Sequence, residues 1–164
     1  MNQNLQKIDH SALRVSQVVI ILLNVLAFVL GSYWLTGLVA FAMLLGVAFG
    51  IPAFGWVYRY ALKPAGLAKP DVLLDHPEPH RFAQAIGGVV MMTGTLALAL
   101  GGAAAGVLGW ALVWLVAALA ALNAFAGFCV GCMFYYWLAR LGLPGFTHTP
   151  PAGGVPGMRP NIRP

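Results

Sequence analysis

The sequence predicts an all-α membrane protein, and three observations support this fold class. Hydrophobic residues make up 60% of the 164-residue chain and charged residues only 8%, whereas about a quarter of the residues of an average protein are charged. Several uncharged stretches are long enough to cross a bilayer. All the charged residues lie outside these stretches and can be placed on one side of the membrane. We therefore expect a helical bundle surrounded by lipid.

Four uncharged stretches predict four transmembrane helices. They cover residues 15–32, 35–57, 82–101 and 107–138. A helix of about 20 residues, rising 1.5 Å per residue, crosses a hydrocarbon core of roughly 30 Å. Only short turns join the first stretch to the second and the third to the fourth. The sequence therefore predicts two antiparallel helical hairpins.

The positions of the charged residues predict the orientation of these hairpins. Three groups of charges lie before the first stretch, between the second and third, and after the fourth; they comprise Lys7, Asp9 and Arg14, then Arg59, Lys63, Lys69, Asp71, Asp75, Glu78 and Arg81, then Arg140, Arg159 and Arg163. Loops rich in Lys and Arg stay in the cytoplasm. We therefore predict a multi-pass protein of the bacterial inner (cell) membrane with both termini cytoplasmic. Contact with anionic lipid accounts for the net charge of +5 without a nucleic-acid partner.

Two polar segments flank the predicted spans. Residues 60–80 contain four prolines, which favour an extended segment at the membrane surface. Residues 143–164 are rich in proline and glycine, a composition typical of disordered chain. The sequence therefore predicts one four-helix transmembrane domain, residues 1–142, followed by a disordered tail, residues 143–164.

A pair of cysteines inside the last apolar stretch is the main chemical signal. Cys129 and Cys132 are the only cysteines of the chain and occur in the sequence GFCVGC, residues 127–132. Positions three apart share one face of a helix, and Tyr136 extends that face. Near the cytoplasmic side the thiols meet a reducing compartment, where a permanent structural disulfide is not expected. Thiol redox or sulfur chemistry, metal binding and idle packing of two small apolar side chains remain open.

Helix length predicts a break close to this pair. Residues 107–138 would form a straight helix of about 50 Å, longer than the hydrocarbon core. Gly127 is the natural place for a break. A new helix starting there would place Cys129 and Cys132 in its first turn, where backbone N–H groups stabilise a thiolate. We hypothesise that this restart activates Cys129.

Polar residues at the entrances of two spans are candidate substrate-binding residues. Arg14 and Gln17 lie one turn apart at the first span, and Arg81 and Gln84 repeat this spacing at the third. With Tyr136 they could form a vestibule for an anionic sulfur species or for the thiolate of a partner. Alternatively, both arginines anchor phospholipid headgroups. Ser11 is a candidate cap of the first helix.

Metal binding has weaker support in the sequence. A closed zinc site needs four ligands. The histidines at positions 10, 76, 80 and 148 could complete such a site only if the loops fold back onto the bundle. We therefore predict no metal site, and the sequence identifies no cofactor.

Three sequence elements resemble a known family. They are DHSALRVSQ at residues 9–17, PHRFAQ at residues 79–84 and GFCVGC at residues 127–132, in this order among four apolar stretches. They resemble a widespread bacterial family of small integral-membrane proteins catalogued as a domain of unknown function. The resemblance covers about residues 5–142. It implies a four-span membrane protein and supplies no reaction.

Three functions are consistent with these features. In the first, the dithiol exchanges electrons or sulfur with a thioredoxin-like or rhodanese-like protein, or serves the transport of a sulfur compound. In the second, the protein is a non-catalytic subunit or scaffold of a membrane complex, or a homo-oligomer. In the third, the dithiol binds or transports a metal. A quinone-linked enzyme that forms disulfides is disfavoured, because that chemistry serves the outer side of the membrane and the charges place the cysteines inside.

Overall fold

The computed structural model describes residues 5–150, 154–160 and 162. Within these residues the chain forms six α-helices and one two-stranded sheet. In order, the elements are β1 (Gln6–Asp9), α1 (His10–Val29), α2 (Tyr33–Phe49), α3 (Gly55–Val57), a π-helical turn (Tyr58–Leu62), β2 (Val72–Asp75), α4 (Pro77–Leu100), α5 (Ala103–Ala126) and α6 (Val130–Arg140).

Four helices form a bundle with an apolar surface. Helices α1, α2, α4 and α5 each pack against two of the others, around a core that includes Ile20, Val39, Met43, Met91 and Val113. Large apolar side chains also cover the outer surface, such as Leu22, Phe41, Leu96 and Leu108. Helices α1, α4 and α5 are long and apolar enough to cross a membrane, and α2 is a shorter apolar helix of 17 residues. The chain is therefore a membrane protein, as its composition predicts.

Small residues bring the helices of the bundle close together. A Cβ atom on Gly94 of α4 would lie 3.1 Å from the carbonyl oxygen of Gly109 on α5. A Cβ atom on Gly131 of α6 would lie 2.5 Å from the Cβ of Ala83 on α4. Close backbone approach of this kind is typical of helix packing in lipid.

Helix α2 ends earlier than the apolar stretch predicts. The stretch runs to residue 57, but α2 ends at Phe49. Gly50 adopts a left-handed conformation with φ of 69°, and the backbone N–H of Ile51 donates to the carbonyl oxygen of Gly46. This is a glycine-terminated helix end, and Pro52 cannot continue the helix. Hydropathy alone does not detect such an end, so the predicted boundary was wrong.

The predicted break at Gly127 is confirmed. Helix α5 ends at Ala126, and Gly127 follows in the left-handed conformation with φ of 66°. Glycine adopts this conformation without the steric penalty of a side chain. The chain then turns, and α6 begins at Val130 with Cys129 as its N-cap. The apolar stretch 107–138 is therefore two helices.

A short antiparallel sheet corrects the prediction of a purely α-helical chain. Strands β1 and β2 pair so that Gln6 lies opposite Asp75 and Asp9 lies opposite Val72. The segment 60–80 thus contains a strand as well as a π-helical turn, and is only partly extended. Pro77 and Pro79 belong to the first turn of α4, where a missing N–H is tolerated. Helix α4 therefore starts five residues before the predicted span.

Asp9, and not Ser11, caps helix α1. The carboxylate of Asp9 accepts hydrogen bonds from the backbone N–H groups of Ser11 (3.0 Å) and Asp71 (3.1 Å) and from the hydroxyl of Tyr58 (2.8 Å). The hydroxyl of Ser11 donates instead to the carbonyl oxygen of Lys69, at 2.7 Å. These bonds attach the segment between α3 and α4 to the start of α1.

The C-terminal segment packs against the same end of the bundle. Its backbone pairs with the chain around the cysteines, since Cys129 N–H donates to the oxygen of Gly157 (2.7 Å) and Arg159 N–H donates to that of Gly127 (3.0 Å). Arg159 also forms an ion pair with Asp71. For residues 154–160 and 162 the structure thus differs from the predicted disordered tail. The rest of that prediction from position 151 onward, including Arg163, lies outside the described residues.

Candidate functional site

A disulfide bond at the start of α6 forms the centre of the candidate site. Cys129 and Cys132 are bonded to each other, and both side chains are buried. The Sγ atom of Cys129 accepts a hydrogen bond from the backbone N–H of Cys132, at 3.1 Å. The predicted close pair in the first turn of a new helix is therefore confirmed. The sequence predicts no permanent structural disulfide at this pair, and the structure shows the pair in its disulfide form.

His80 of α4 connects the disulfide to a buried carboxylate. Its Nδ1 atom lies 3.6 Å from the Sγ of Cys132, and its Nε2 atom lies 2.9 Å from Oδ2 of Asp75. A carboxylate only accepts hydrogen bonds, so Nε2 carries the proton and donates to Asp75. In the neutral ring Nδ1 then has a free lone pair, which faces the sulfur. His80 is thus placed to take a proton from a Cys132 thiol.

Asp75 lies at the end of β2 and organises the two histidines of the site. Its Oδ1 accepts a hydrogen bond from the N–H of His76 (2.8 Å), while its Oδ2 lies 3.4 Å from Nε2 of His10. The second contact is longer than an ideal hydrogen bond. Burial alone would raise the pKa of Asp75, but the contacts with His10, His80 and the His76 N–H outweigh burial and hold the pKa well below its usual range. Asp75 is therefore an anion at neutral pH.

A carboxylate, an imidazole and a sulfur in series form an arrangement that activates a thiol. If the disulfide is reduced, His80 can accept the proton of Cys132, and Asp75 stabilises the resulting imidazolium. The Cys132 N–H, at the N-terminus of α6, can stabilise a thiolate on Cys129. A thiolate on Cys132 is therefore stabilised by His80, and a thiolate on Cys129 by the backbone N–H of Cys132.

The disulfide lies between two cavities of different character. A small cavity of about 30 Å³ is lined by polar groups, among them His10, Arg14, Asp75, Tyr136 and Arg159. A larger one, of about 220 Å³, is mostly apolar and is lined by residues of α1, α2, α4, α5 and α6. The residues common to both are Leu13, Gln17, His80, Asn123 and Cys129.

The structure brings together only some of the predicted substrate-binding residues. Arg14, Gln17 and Tyr136 line the small polar cavity with both cysteines. Arg81 points away from it and donates to the carbonyl oxygen of Val47 (3.0 Å). Gln84 donates to the carbonyl oxygen of Met43 (2.8 Å) and borders only the apolar cavity. Arg81 and Gln84 thus complete the C-terminus of α2, and the two Arg/Gln steps do not converge.

Three residues of the site are not assigned to it by the sequence pattern. This pattern indicates His10 and His80 only as metal ligands, and Asp75 only as a loop residue. A signal for both histidines was available, because His10 lies in the element DHSALRVSQ and His80 in PHRFAQ. No local signal existed for Asp75, since its position depends on the pairing of β2 with β1.

A second cluster could hold a metal ion. His76, Glu78 and His148 each offer one ligand atom, and these atoms lie within 4.8 Å of one another. Burial, and then the charge of His148, lower the pKa of His76 and favour its neutral, ligating form. At the disulfide itself, the bonded sulfurs offer no thiolate to a metal. That no metal is bound stays a prediction.

Comparison with known proteins identifies a family. The model of a family described as a domain of unknown function (DUF4395) matches residues 8–140. This match confirms the resemblance to a family of domains of unknown function. No curated protein and no solved structure matches the chain.

Proposed function

We propose that this chain, which belongs to the DUF4395 family of domains of unknown function, is a membrane thiol–disulfide exchange protein. Cys129 and Cys132 alternate between a disulfide and a dithiol. His80, held by Asp75, moves the proton of Cys132. The observation that carries the proposal is the contact of His80 Nδ1 with the Cys132 sulfur while Nε2 is bound to Asp75.

In thiol–disulfide exchange at this site, the substrate thiols supply all the electrons that reduce the protein disulfide. A substrate thiolate attacks one sulfur of the Cys129–Cys132 bond, a mixed disulfide forms, and the other cysteine leaves as a thiolate. A second substrate thiolate then attacks the substrate sulfur of the mixed disulfide and releases the second cysteine. Two substrate thiols become one disulfide, and the protein disulfide becomes a dithiol. A leaving thiolate on Cys132 can take its proton from the His80 imidazolium.

The small polar cavity favours a small anionic sulfur compound as substrate. Arg14 borders this cavity and supplies positive charge, and Gln17 and Tyr136 supply hydrogen-bonding groups. Both cysteines are buried, so a compact nucleophile reaches them more easily than a protein does. A thioredoxin-like or rhodanese-like partner would first have to displace the segment around Gly157, whose oxygen accepts from Cys129 N–H.

We further propose four spans in the inner membrane with both termini in the cytoplasm. Helix α2 would cross the membrane in addition to α1, α4 and α5. Its 17 residues reach the lower limit of the range of about 17 to 25 residues for a transmembrane helix. The turns between α1 and α2 and between α4 and α5 carry no charged residue, whereas the opposite end of the bundle carries the basic residues. This distribution follows the positive-inside rule.

The exchange function can be tested on purified protein in lipid nanodiscs. Reduction by a small thiol is followed by trapping free cysteines with a mass-tagged maleimide. We expect the folded protein to be reduced by the thiol, and reoxidised by the disulfide form of the same thiol, at least about tenfold faster than the same chain in denaturant, because the fold stabilises the leaving thiolate. Reduction only after unfolding would leave the non-catalytic role, as subunit or scaffold, in its place.

A further inference from the structure

The apolar cavity beside the disulfide has the form of a binding site for a lipid-soluble molecule. Its volume is about 220 Å³, and apolar side chains of five helices form most of its wall, including Ile20, Met43, Val90 and Val116. Cys129 borders the cavity, whereas the sulfur of Cys132 is not part of its lining. The disulfide thus lies next to the apolar cavity as well as the polar one.

The rim of this cavity faces the lipid. Four of the residues that line it are also exposed on the outer surface of the bundle, namely Ile86 of α4, Leu115 and Leu119 of α5 and Phe134 of α6. Apolar side chains that are exposed in a membrane bundle contact acyl chains. A molecule dissolved in the bilayer can therefore enter between these helices without passing through water.

Three polar residues lie where the apolar cavity adjoins the polar one. Gln17, His80 and Asn123 border the apolar cavity together with Cys129, and all four also border the small polar cavity. The side-chain amides of Gln17 and Asn123 make no hydrogen bond to another residue in the part of the chain that the structure describes. Both can donate to a carbonyl oxygen. The occupant therefore combines an apolar body with a polar, hydrogen-bond-accepting head.

We propose that this cavity binds a membrane quinone and that the quinone oxidises the Cys129–Cys132 dithiol. The two thiols lose two electrons and two protons and form the S–S bond. The quinone takes up the two electrons and two protons and leaves as a quinol. Combined with exchange on the polar side, the protein transfers electrons from sulfur compounds to the quinone pool.

The inference rests on the proposed exchange function but not on the orientation of the bundle. The sequence disfavours a quinone-linked enzyme because disulfide formation for export takes place outside the cell. Electron transfer from small sulfur compounds to a quinone has no such requirement. The cavity opens toward lipid, and a quinone reaches it from the bilayer on either topology.

The test uses pre-reduced protein in nanodiscs and a ubiquinone analogue with a short alkyl tail. Quinol formation is followed by ultraviolet absorbance, and disulfide formation by the maleimide tag. We expect one quinol for each disulfide formed. A protein with Cys129→Ser and Cys132→Ser gives the background rate.

Two substitutions on α5 test whether the quinone binds in the cavity or elsewhere on the surface. Ala120 lines the cavity, whereas Ala118 is exposed on the same helix and does not. We expect Ala120→Phe to slow quinone reduction by about tenfold or more, because the ring fills the site. Reduction of its disulfide by a small thiol should stay close to the wild-type rate. Ala118→Phe should behave as wild type in both assays.

The outcomes distinguish the two proposals. If small thiols reduce the wild-type disulfide but the quinone does not reoxidise the dithiol, the quinone inference is wrong and the exchange function stands. If thiols reduce the disulfide only after unfolding, the exchange function fails and the inference fails with it. Equal quinone reduction by both phenylalanine variants also overturns the assignment of the cavity.

Photolabelling of the wild type covers the case in which Ala120→Phe does not fold. A quinone that carries a photoreactive azido group is irradiated with the oxidised protein, and the labelled peptides are identified by mass spectrometry. We expect labels on α4 and α5 near Ile86 and Leu119, and competition by unmodified quinone. Labels confined to other surfaces would contradict the proposal.

Discussion

Replacing His80 with alanine is expected to slow reduction of the Cys129–Cys132 disulfide by a small thiol about 100-fold, the lower end of the range for a lost general acid–base group. The imidazole lies 3.6 Å from the Cys132 sulfur and has no substitute in the variant. Stopped reactions with the maleimide tag give the rate constant at each pH.

The pH profile and chemical rescue distinguish proton transfer from a structural role of His80. The His80→Ala variant should lose the part of the wild-type pH dependence that His80 causes, and added imidazole should restore part of the rate. His148→Ala is the matched control, because His148 borders neither cavity. A His80→Ala protein with the wild-type rate and profile would remove His80 from the mechanism.

Replacing Asp75 with asparagine is expected to destabilise the protein by about 1.5 to 3 kcal/mol at neutral pH, the range for hydrogen bonds to a charged group. The carboxylate contacts His10, His76 and His80, and a neutral amide cannot replace its charge. The same substitution should slow exchange, because a neutral amide does not stabilise the His80 imidazolium as the carboxylate does. Thermal unfolding in detergent measures the first effect, and the maleimide assay measures the second.

The pH dependence of stability gives a separate signature of Asp75. Its pKa is lower in the folded protein than in the unfolded chain, so its contribution is present above the unfolded value of about 3.9 and is lost as pH falls below it. The Asn variant lacks this contribution at every pH. The stability difference between wild type and variant should therefore shrink as the pH falls below about 4. A constant difference would show that the carboxylate charge is not the stabilising group.

The sequence predicts the features of this protein that depend on local patterns. Low charge and long apolar stretches predict the membrane helices, and the excess length of residues 107–138 predicts the break at Gly127. A single helix over this stretch would be longer than the membrane is thick, and Gly127 is a residue at which such a helix can end. The break also places Cys129 at the N-terminus of a helix, as the structure shows.

The assignment of Arg81 failed because of helix phase. Successive residues of an α-helix point about 100° apart, so His80 and Arg81 cannot face the same site. His80 faces the disulfide, and Arg81 reaches the end of α2. Spacing alone does not reveal which of two neighbouring polar residues points inward.

The remaining features depend on contacts between distant segments. His80 and Cys132 are 52 positions apart, and Asp75 reaches the site only because β2 pairs with β1 near the N-terminus. The C-terminal segment binds the Cys129 backbone through Gly157, although its composition is typical of disordered chain. Composition and periodicity carry no information on these pairings.

The midpoint potential of the cysteine pair tests the central claim most directly. The protein is equilibrated with glutathione buffers of defined potential, and the maleimide tag gives the dithiol fraction. A pair that exchanges with other thiols is expected to have a midpoint between about −270 and −120 mV, the range of thioredoxin-like proteins. A midpoint below about −300 mV, typical of structural disulfides, would contradict the account.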